Sequence, residues 1–363
     1  MIKFKTVGVT LAALMLAAAC GAPAATPGTT PAGSPMGSPA GSPMGEGYRI
    51  GVSNTIAGNG WREEMICSIR AQALASGEVS ELRVAHRNTD PAGQLEDIRS
   101  LIAADVDAII VNPAGADSVN AALQEAIDAN IVVVAVDQAV TLEDAYLMAN
   151  NQEEYGYLGA KWLFEQMGGS GDVVYMRGAA GATADDDRDR GFRRALAEHP
   201  DINIVHEDFT GWSQETGVKN LNDFIATGQN FDGIWTSGID NVIVEALGTA
   251  NAELVPVVGA DNAGFVQQLV EMQDDGLTGA AVTNPASVGG AGVTLALQVL
   301  NGQGPSDRAV LVNPEVWDNT TDAGRTQLTE ANDPDIDPTW PLGIHIEGWT
   351  TYTKEQILAC TGP

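Results

Sequence analysis

Basic residues are scarce in this 363-residue chain: 18 Lys and Arg stand against 48 Asp and Glu, for a net charge of −30. Phosphate-backbone binding needs local positive charge, so nucleic acid is excluded as a partner. The acid excess is spread along the chain and reads as solubility. Histidine is scarcer still. His86, His199, His206 and His345 are scattered, with no HExxH and no pair at metal-ligand spacing, so no metal centre is expected. Beyond the N-terminus no segment approaches 18 uninterrupted apolar residues, which leaves no membrane span in the mature chain. There is no nucleophile elbow and no dinucleotide fingerprint, so neither catalytic machinery nor a cofactor is called for. Gly289-Gly290-Ala291-Gly292 lacks that fingerprint's spacing and acidic partner and reads as close helix packing. Asp333, Asp335 and Asp337 open like a calcium loop, but Pro338 stands where such a loop needs Gly and Ile344 where it needs Glu. His206 falls within a strand pattern and reads as structural, and Asp185, Asp186 and Asp187 read as a solvated helix start.

What is present begins with Lys3 and Lys5, an apolar run Thr6–Ala19 too short to span a bilayer, and Ala17-Ala18-Ala19 leading into Cys20. This stretch resembles a bacterial lipoprotein signal, with Ala17 where a leucine is usual. The resemblance implies removal of residues 1–19 and acylation of Cys20; the alternative is an ordinary secretory signal. Either places the protein outside the cytoplasm, in the cell envelope. Residues 20–47 continue as a tether that repeats Gly-Ser-Pro three times. It cannot bury enough surface to offset its ordering entropy and, as a coil, spans on the order of 30 Å. If Cys20 carries lipid, Cys67 and Cys360 remain as a pair in an oxidising compartment, and a disulfide is expected, with two free thiols as the alternative.

From Tyr48 short apolar runs alternate with helix-patterned segments. The runs are 48–53, 82–87, 108–113, 132–137, 172–177, 202–209, 233–237, 255–261, 277–283 and 309–314. Continuous Val/Ile runs between amphipathic helices indicate parallel strands covered on both faces, a doubly wound α/β fold. Residues 146–156 interrupt the rhythm and read as a crossover from one sheet to a second. Residues 315–363 break the pattern and read as a long wrap ending in the short helix KEQILAC. The expected division is 48–150 with about 284–312 in a first lobe, 151–283 with about 313–340 in a second, and about 341–363 returning to the first.

In open parallel sheets ligands sit at the carboxyl ends of the strands. That rule selects Asn59, Trp61 and Arg62; Asp137 and Gln138; Arg188 and Arg190; Trp212; Asp240 and Asn241; Asp261 and Asn262; and Thr283 and Asn284. Indole faces stack on the C–H faces of a sugar, while carboxylates, guanidinium forks and amides meet its hydroxyls. Any one of these residues also suits a helix cap or turn, and the set carries the reading.

The order NGWR, VVVAVDQA, GAAGATADDDRDRGF, GWSQETG, GADN and VTNP resembles the ribose-type sugar-binding proteins of ABC importers over about residues 48–314. The resemblance implies two Rossmann-like lobes joined by a three-strand hinge, the periplasmic binding protein type I fold. It also implies a non-enzymatic, monomeric receptor that closes over a monosaccharide or polyol and delivers it to a membrane permease. Carried over residue by residue, the site comprises Asn59, Trp61, Arg62, Asp137, Gln138, Arg190, Trp212, Asp240, Asp261 and Thr283. Arg62 stands where the family has an aromatic and Gln138 where it has an arginine, which bears on which sugar is held. Alternatives are a receptor for a nucleoside or furanone-type signal presented to a membrane sensor, or a sugar-acting enzyme using Asp137 and Asp261.

Overall fold

The computed structural model describes residues 47–363; the export segment, Cys20 and nearly all of the tether lie outside the described residues. In the first half β1 (Tyr48–Asn54), β2 (Val79–His86), β3 (Ala108–Asn112), β4 (Val132–Val136) and β5 (Tyr146–Asn150) alternate with α1 (Gly60–Ser76), α2 (Pro91–Ala103) and α3 (Asn120–Asp128). After α4 (Gln152–Gln166) come β6 (Ser170–Arg177), α5 (Thr183–Glu198), β7 (Asp201–Phe209), α6 (Gln214–Ile225) and β8 (Gly233–Trp235). They are followed by α7 (Asp240–Ala250), β9 (Val257–Ala260), α8 (Ala263–Glu271), β10 (Gly279–Val282) and α9 (Val288–Leu300). The chain closes with β11 (Ala309–Val312), β12 (Val316–Asp318), α10 (Asp322–Ala331) and α11 (Lys354–Ala359).

The strands form two six-stranded sheets, ordered β11-β5-β4-β3-β1-β2 and β12-β10-β9-β8-β6-β7. All pairs are parallel except β12 against β10. The chain passes between the sheets three times: from β5 into α4, from β10 into α9, and from β11 into β12.

Each sheet is buried on both faces because successive residues of its strands feed opposite cores. In β3 Ile110 packs with Ile50, Val134 and Val136, while Ile109 and Val111 pack with Ile98, Leu123 and Val133. Burying each such side chain stabilises by roughly 1.5–3 kcal/mol. The second sheet repeats this arrangement around Phe265 and Leu247 on one face and Phe192 and Trp235 on the other.

The glycines after β10 bring α9 against α1. A Cβ at Gly289 would lie 2.7 Å from the Met65 carbonyl oxygen, and one at Gly290 would lie 2.9 Å from that of Ser68. Cys67 in α1 is disulfide-bonded to Cys360, the residue that ends α11. No helix among the described residues is long and apolar enough to cross a membrane.

Three elements depart from the sequence reading. Residues 146–150, read as crossover, form strand β5, and the crossing follows at Asn151. β12 and α10 lie within what read as an irregular wrap; β12 is three residues long and α10 is capped by Thr321, whose side chain accepts from Gly324 N.

Candidate functional site

The carboxyl ends of both sheets converge on one cleft. Asn59 caps α1 by accepting from Arg62 N (3.1 Å), and its Nδ2 donates to the Trp212 carbonyl (3.3 Å), so loops from the two sheets touch directly. An inner cavity of about 40 Å³ is lined by Trp61, Arg62 and Asp137 from the first sheet's loops. Facing them are Ala184, Arg188, Trp212, Ser237 and Gly238, with Asn262 and Asn284 also on its wall.

A buried polar network fixes these groups. Arg62 Nη2 lies 3.6 Å from Asp137 Oδ2, with both side chains almost fully enclosed, and Arg62 Nη1 donates to Asn54 Oδ1 at 2.8 Å. Asp137 also accepts from Asn112 Nδ2 (3.2 Å) and Gln152 Nε2 (3.1 Å). Arg188 Nε donates to Gln152 Oε1 (2.8 Å), while its guanidinium lies 4.3 Å from the Tyr155 ring centroid and 6.0 Å from that of Trp212. Gln152, at the start of α4, therefore links the first sheet's carboxylate to the second sheet's guanidinium. Burial lowers the Arg62 pKa, opposed by Asp137 and reinforced by the repulsion of Arg188. Trp61 Nε1 donates to the Asn284 carbonyl (2.7 Å), fixing the indole.

Among the described residues six other than glycine have φ in the left-handed region. Four of them, Asp105, Asn130, Asn251 and Cys360, sit at helix C-termini, where that conformation is ordinary. The other two are Asp137 (φ 65°) and Trp212 (φ 55°), one from each sheet and both on the cleft. Such residues each hold on the order of 1 kcal/mol or more of strain and persist where surrounding contacts enforce them. Trp212 is held against Gly178, where an added Cβ would lie 2.3 Å from the indole. Its Nε1, on the side packed against Gly178, and the Ser237 Oγ are both buried without a partner among the described residues.

Of the ten residues carried over by the resemblance, Asn59, Trp61, Arg62, Asp137 and Trp212 are brought together here, and Arg188, Asn262 and Asn284 from the wider strand-end set join them. Five lie elsewhere. Arg190 is on the exposed side of α5, paired with Asp187 and 3.6 Å from Glu153, and Arg188 faces the cavity instead. Gln138 is buried behind the wall, donating to Asn112 Oδ1 (3.0 Å) and the Pro113 carbonyl (3.2 Å). Asp240 is fully buried and accepts from the backbone N–H of Gly238 (3.1 Å) and Ala260 (2.9 Å), bracing the loops after β8 and β9. Asp261, also fully buried, accepts from Asn284 N at 2.8 Å. Burial raises both carboxyls, to about 7 for Asp240 and about 6 for Asp261, with the backbone donors opposing. Thr283 binds the third crossing, its Oγ1 accepting from Glu315 N at 2.8 Å.

Asp185 is a correction too. It is buried rather than solvated, receiving Gly178 N (2.6 Å) and Arg177 Nη2 (2.7 Å). Sequence reasoning passed over Gln152, Ala184 and Ser237. The first sits just after an unrecognised strand, and the other two carry no side-chain signal of ligand binding.

Relatives share this architecture. Over 241 residues the chain is 28% identical to the xylitol-binding protein of Mycolicibacterium smegmatis, an alignment spanning 65% of this chain and 68% of that one. Over 216 residues it is 28% identical to the galactofuranose-binding protein of Escherichia coli, spanning 57% of this chain and 67% of the relative. The fold is similar to that of an ABC transporter solute binding protein from Thermobispora bispora. That match has a TM-score of 0.73 at 22% identity and covers 86% of this chain and 94% of the other. Residues 50–304 match the periplasmic binding protein domain, and with its two doubly wound sheets facing each other across a cleft the chain belongs to that family.

Proposed function

We propose that the protein is an extracytoplasmic receptor that captures a neutral sugar or polyol between its two sheets and delivers it to an ABC permease, held to the membrane by lipid on Cys20. The observation that carries this reading is the composition of the cleft wall. Two indoles, Trp61 and Trp212, come from opposite sheets, and the hydrogen-bonding groups between them are the paired Arg62 and Asp137 and the guanidinium of Arg188. Indole faces suit the C–H surface of a sugar ring, and fixed forks and carboxylates suit hydroxyls. The relatives named for xylitol and galactofuranose support the same class of solute.

The contacts proposed are Asn59, Trp61, Arg62, Asp137, Arg188 and Trp212, with Gln138, Gln152, Asp240 and Asp261 holding them in place. Because the contacts come from both sheets, solute binds the closed arrangement better than an open one and shifts the equilibrium toward it. A thermal-shift screen of the mature domain against pentoses, hexoses, polyols and nucleosides tests the reading. A solute at 100 times its dissociation constant stabilises by about 2.7 kcal/mol. A response to sugars or polyols is expected, and a response to nucleosides alone overturns the proposal. The anchor is tested separately: a Cys20→Ser variant is expected to be released from membranes with its binding intact, and its retention after a high-salt wash overturns the lipid reading.

A further inference from the structure

Outward of the inner cavity lies a second one of about 300 Å³, and the two share Asn59, Trp61, Trp212 and Gly238. Small-molecule sites generally begin near 300 Å³. The inner cavity, at about 40 Å³, has room for only a few water-sized groups. The space open to a solute therefore continues past the two tryptophans.

The outer space differs in chemistry from the inner one. None of the twelve residues around it carries a charge, whereas two guanidinium groups and a carboxylate line the inner cavity. Its polar side chains are the amides of Asn59 and Gln214 and the hydroxyls of Ser213 and Thr339. Backbone of Gly58, Gly60 and Gly211 completes the wall with little side-chain bulk. Behind the wall the Glu63 and Asp337 carboxylates already receive Gly58 N (2.6 Å) and the Thr339 hydroxyl. An anionic group placed in this space would find no counter-charge, while hydroxyls would find neutral donors and acceptors.

One wall comes from outside the family match, which ends at residue 304. Thr339 belongs to the segment after α10, and that segment is fastened to both halves of the molecule. Gly264 N donates to the Pro338 carbonyl (2.9 Å) and Ala263 N to the Trp340 carbonyl (2.8 Å), which fixes it on the first turn of α8. On the other side it packs on the first turn of α1, where a Cβ at Gly60 would lie 2.0 Å from Thr339 Oγ1. Asp337 holds the Thr339 hydroxyl at 2.6 Å. The wall is thus built into the fold and does not swing as a loose tail.

We infer that the outer cavity is a second subsite for a neutral glycosyl unit, so that the solute is a disaccharide or other glycoside with one ring against Gln214 and Thr339 and its terminal ring at Trp61 and Trp212, from which hydroxyls reach Arg62, Asp137 and Arg188. This deepens the sugar-receptor reading above and rests on it.

The test is calorimetric titration of the mature wild-type domain with D-ribose, D-xylose, D-glucose and D-galactose. Each is compared with a disaccharide that carries the same terminal ring. The expected result is at least one pair in which the disaccharide binds tenfold or more tightly than its monosaccharide. A Gln214→Trp variant, which fills the subsite, is expected to reduce that ratio at least tenfold, with its melting curve checked against wild type. Monosaccharides that bind equally well or better across the panel overturn the subsite while leaving the sugar receptor standing. An unchanged ratio in a folded Gln214→Trp protein overturns it as well. Binding of no sugar in the panel overturns the subsite, and the thermal-shift screen, which includes polyols, then decides the receptor reading.

Discussion

Both sheets present aspartates at their carboxyl ends, yet the two halves use them in opposite ways. In the first half Asp137 stands on the cavity wall, held by side chains: the Arg62 guanidinium and the amides of Asn112 and Gln152. In the second half Asp240 and Asp261 are turned into the protein and receive backbone N–H groups from neighbouring strand ends. The second half meets the cleft through a guanidinium and an indole instead. A strand-end position brings a residue near the site without deciding which way its side chain is committed. Backbone donors decide it, because a carboxylate that satisfies two buried N–H groups is held in place by the cost of leaving them unpaired.

The largest effect is expected at Asp137. Asp137→Ala leaves Arg62 buried without its counter-charge, and removing one partner of such a pair typically costs about 3–5 kcal/mol. Chemical denaturation and solute titration together are expected to show that loss divided between stability and affinity. The matching change in the second half, Asp240→Ala, unpairs buried backbone donors at about 1–3 kcal/mol each. It is expected to lower the melting temperature while affinity for the solute stays within a few-fold. A large selective loss of affinity would put Asp240 on the same footing as Asp137.

The disulfide is remote from both sets of strand ends. Cys360→Ser opens a link across 293 residues of sequence, and losing such a link typically costs about 2–5 kcal/mol. Melting with and without reductant is expected to show the loss, with binding retained in either state.

Acid titration gives a smaller effect of definite sign. Burial, with the charge of Asp261 adding to it, holds the Glu64 carboxyl well above its ordinary value, and both of its oxygens lack partners. Asp261 is raised to about 6, chiefly by burial. Asp240, raised to about 7 by burial, acts in the same sense. Since all three folded-state values lie above the unfolded ones, the folded state holds the extra protons, and stability falls as pH rises from about 4 through 7. Glu64→Gln is expected to flatten that slope and to raise the melting temperature at pH 8, and a slope as steep as wild type would contradict the assignment. The smallest effect is expected at Arg190, whose surface pairs are worth about 1 kcal/mol at most, so Arg190→Ala should melt close to wild type.

Much of this was legible in the sequence. The Val/Ile runs identified ten of the strands because strands covered on both faces have no polar alternation to obscure them. β5 was obscured because Tyr146–Asn150 runs directly into Asn151 and a helix, so its end carries no loop signal. β12 is too short for a pattern to develop. At the site, the exchange of Arg190 for Arg188 follows from helical phase. The buried positions of α5 include Ala184 and, four, seven, eight and eleven residues further along the same helical face, Arg188, Gly191, Phe192 and Ala195; position 190 falls outside that face. Of the two arginines the strand-end rule selected, matching the one before Gly-Phe gave Arg190, where the apolar stripe gives Arg188. The fate of Asp240 and Asp261 was not legible, because the backbone donors they receive come from strand ends 20 and 23 residues away in sequence.

In the proposed site one guanidinium from the second half meets the solute, and it belongs to Arg188. Side-by-side calorimetry of Arg188→Ala and Arg190→Ala, using the solute identified by the thermal screen, tests this most directly. Arg188→Ala is expected to lose a hundredfold or more in affinity, about 2.7 kcal/mol or more, and Arg190→Ala to stay within twofold of wild type. Equal affinities in the two variants, or a loss confined to Arg190→Ala, would contradict it.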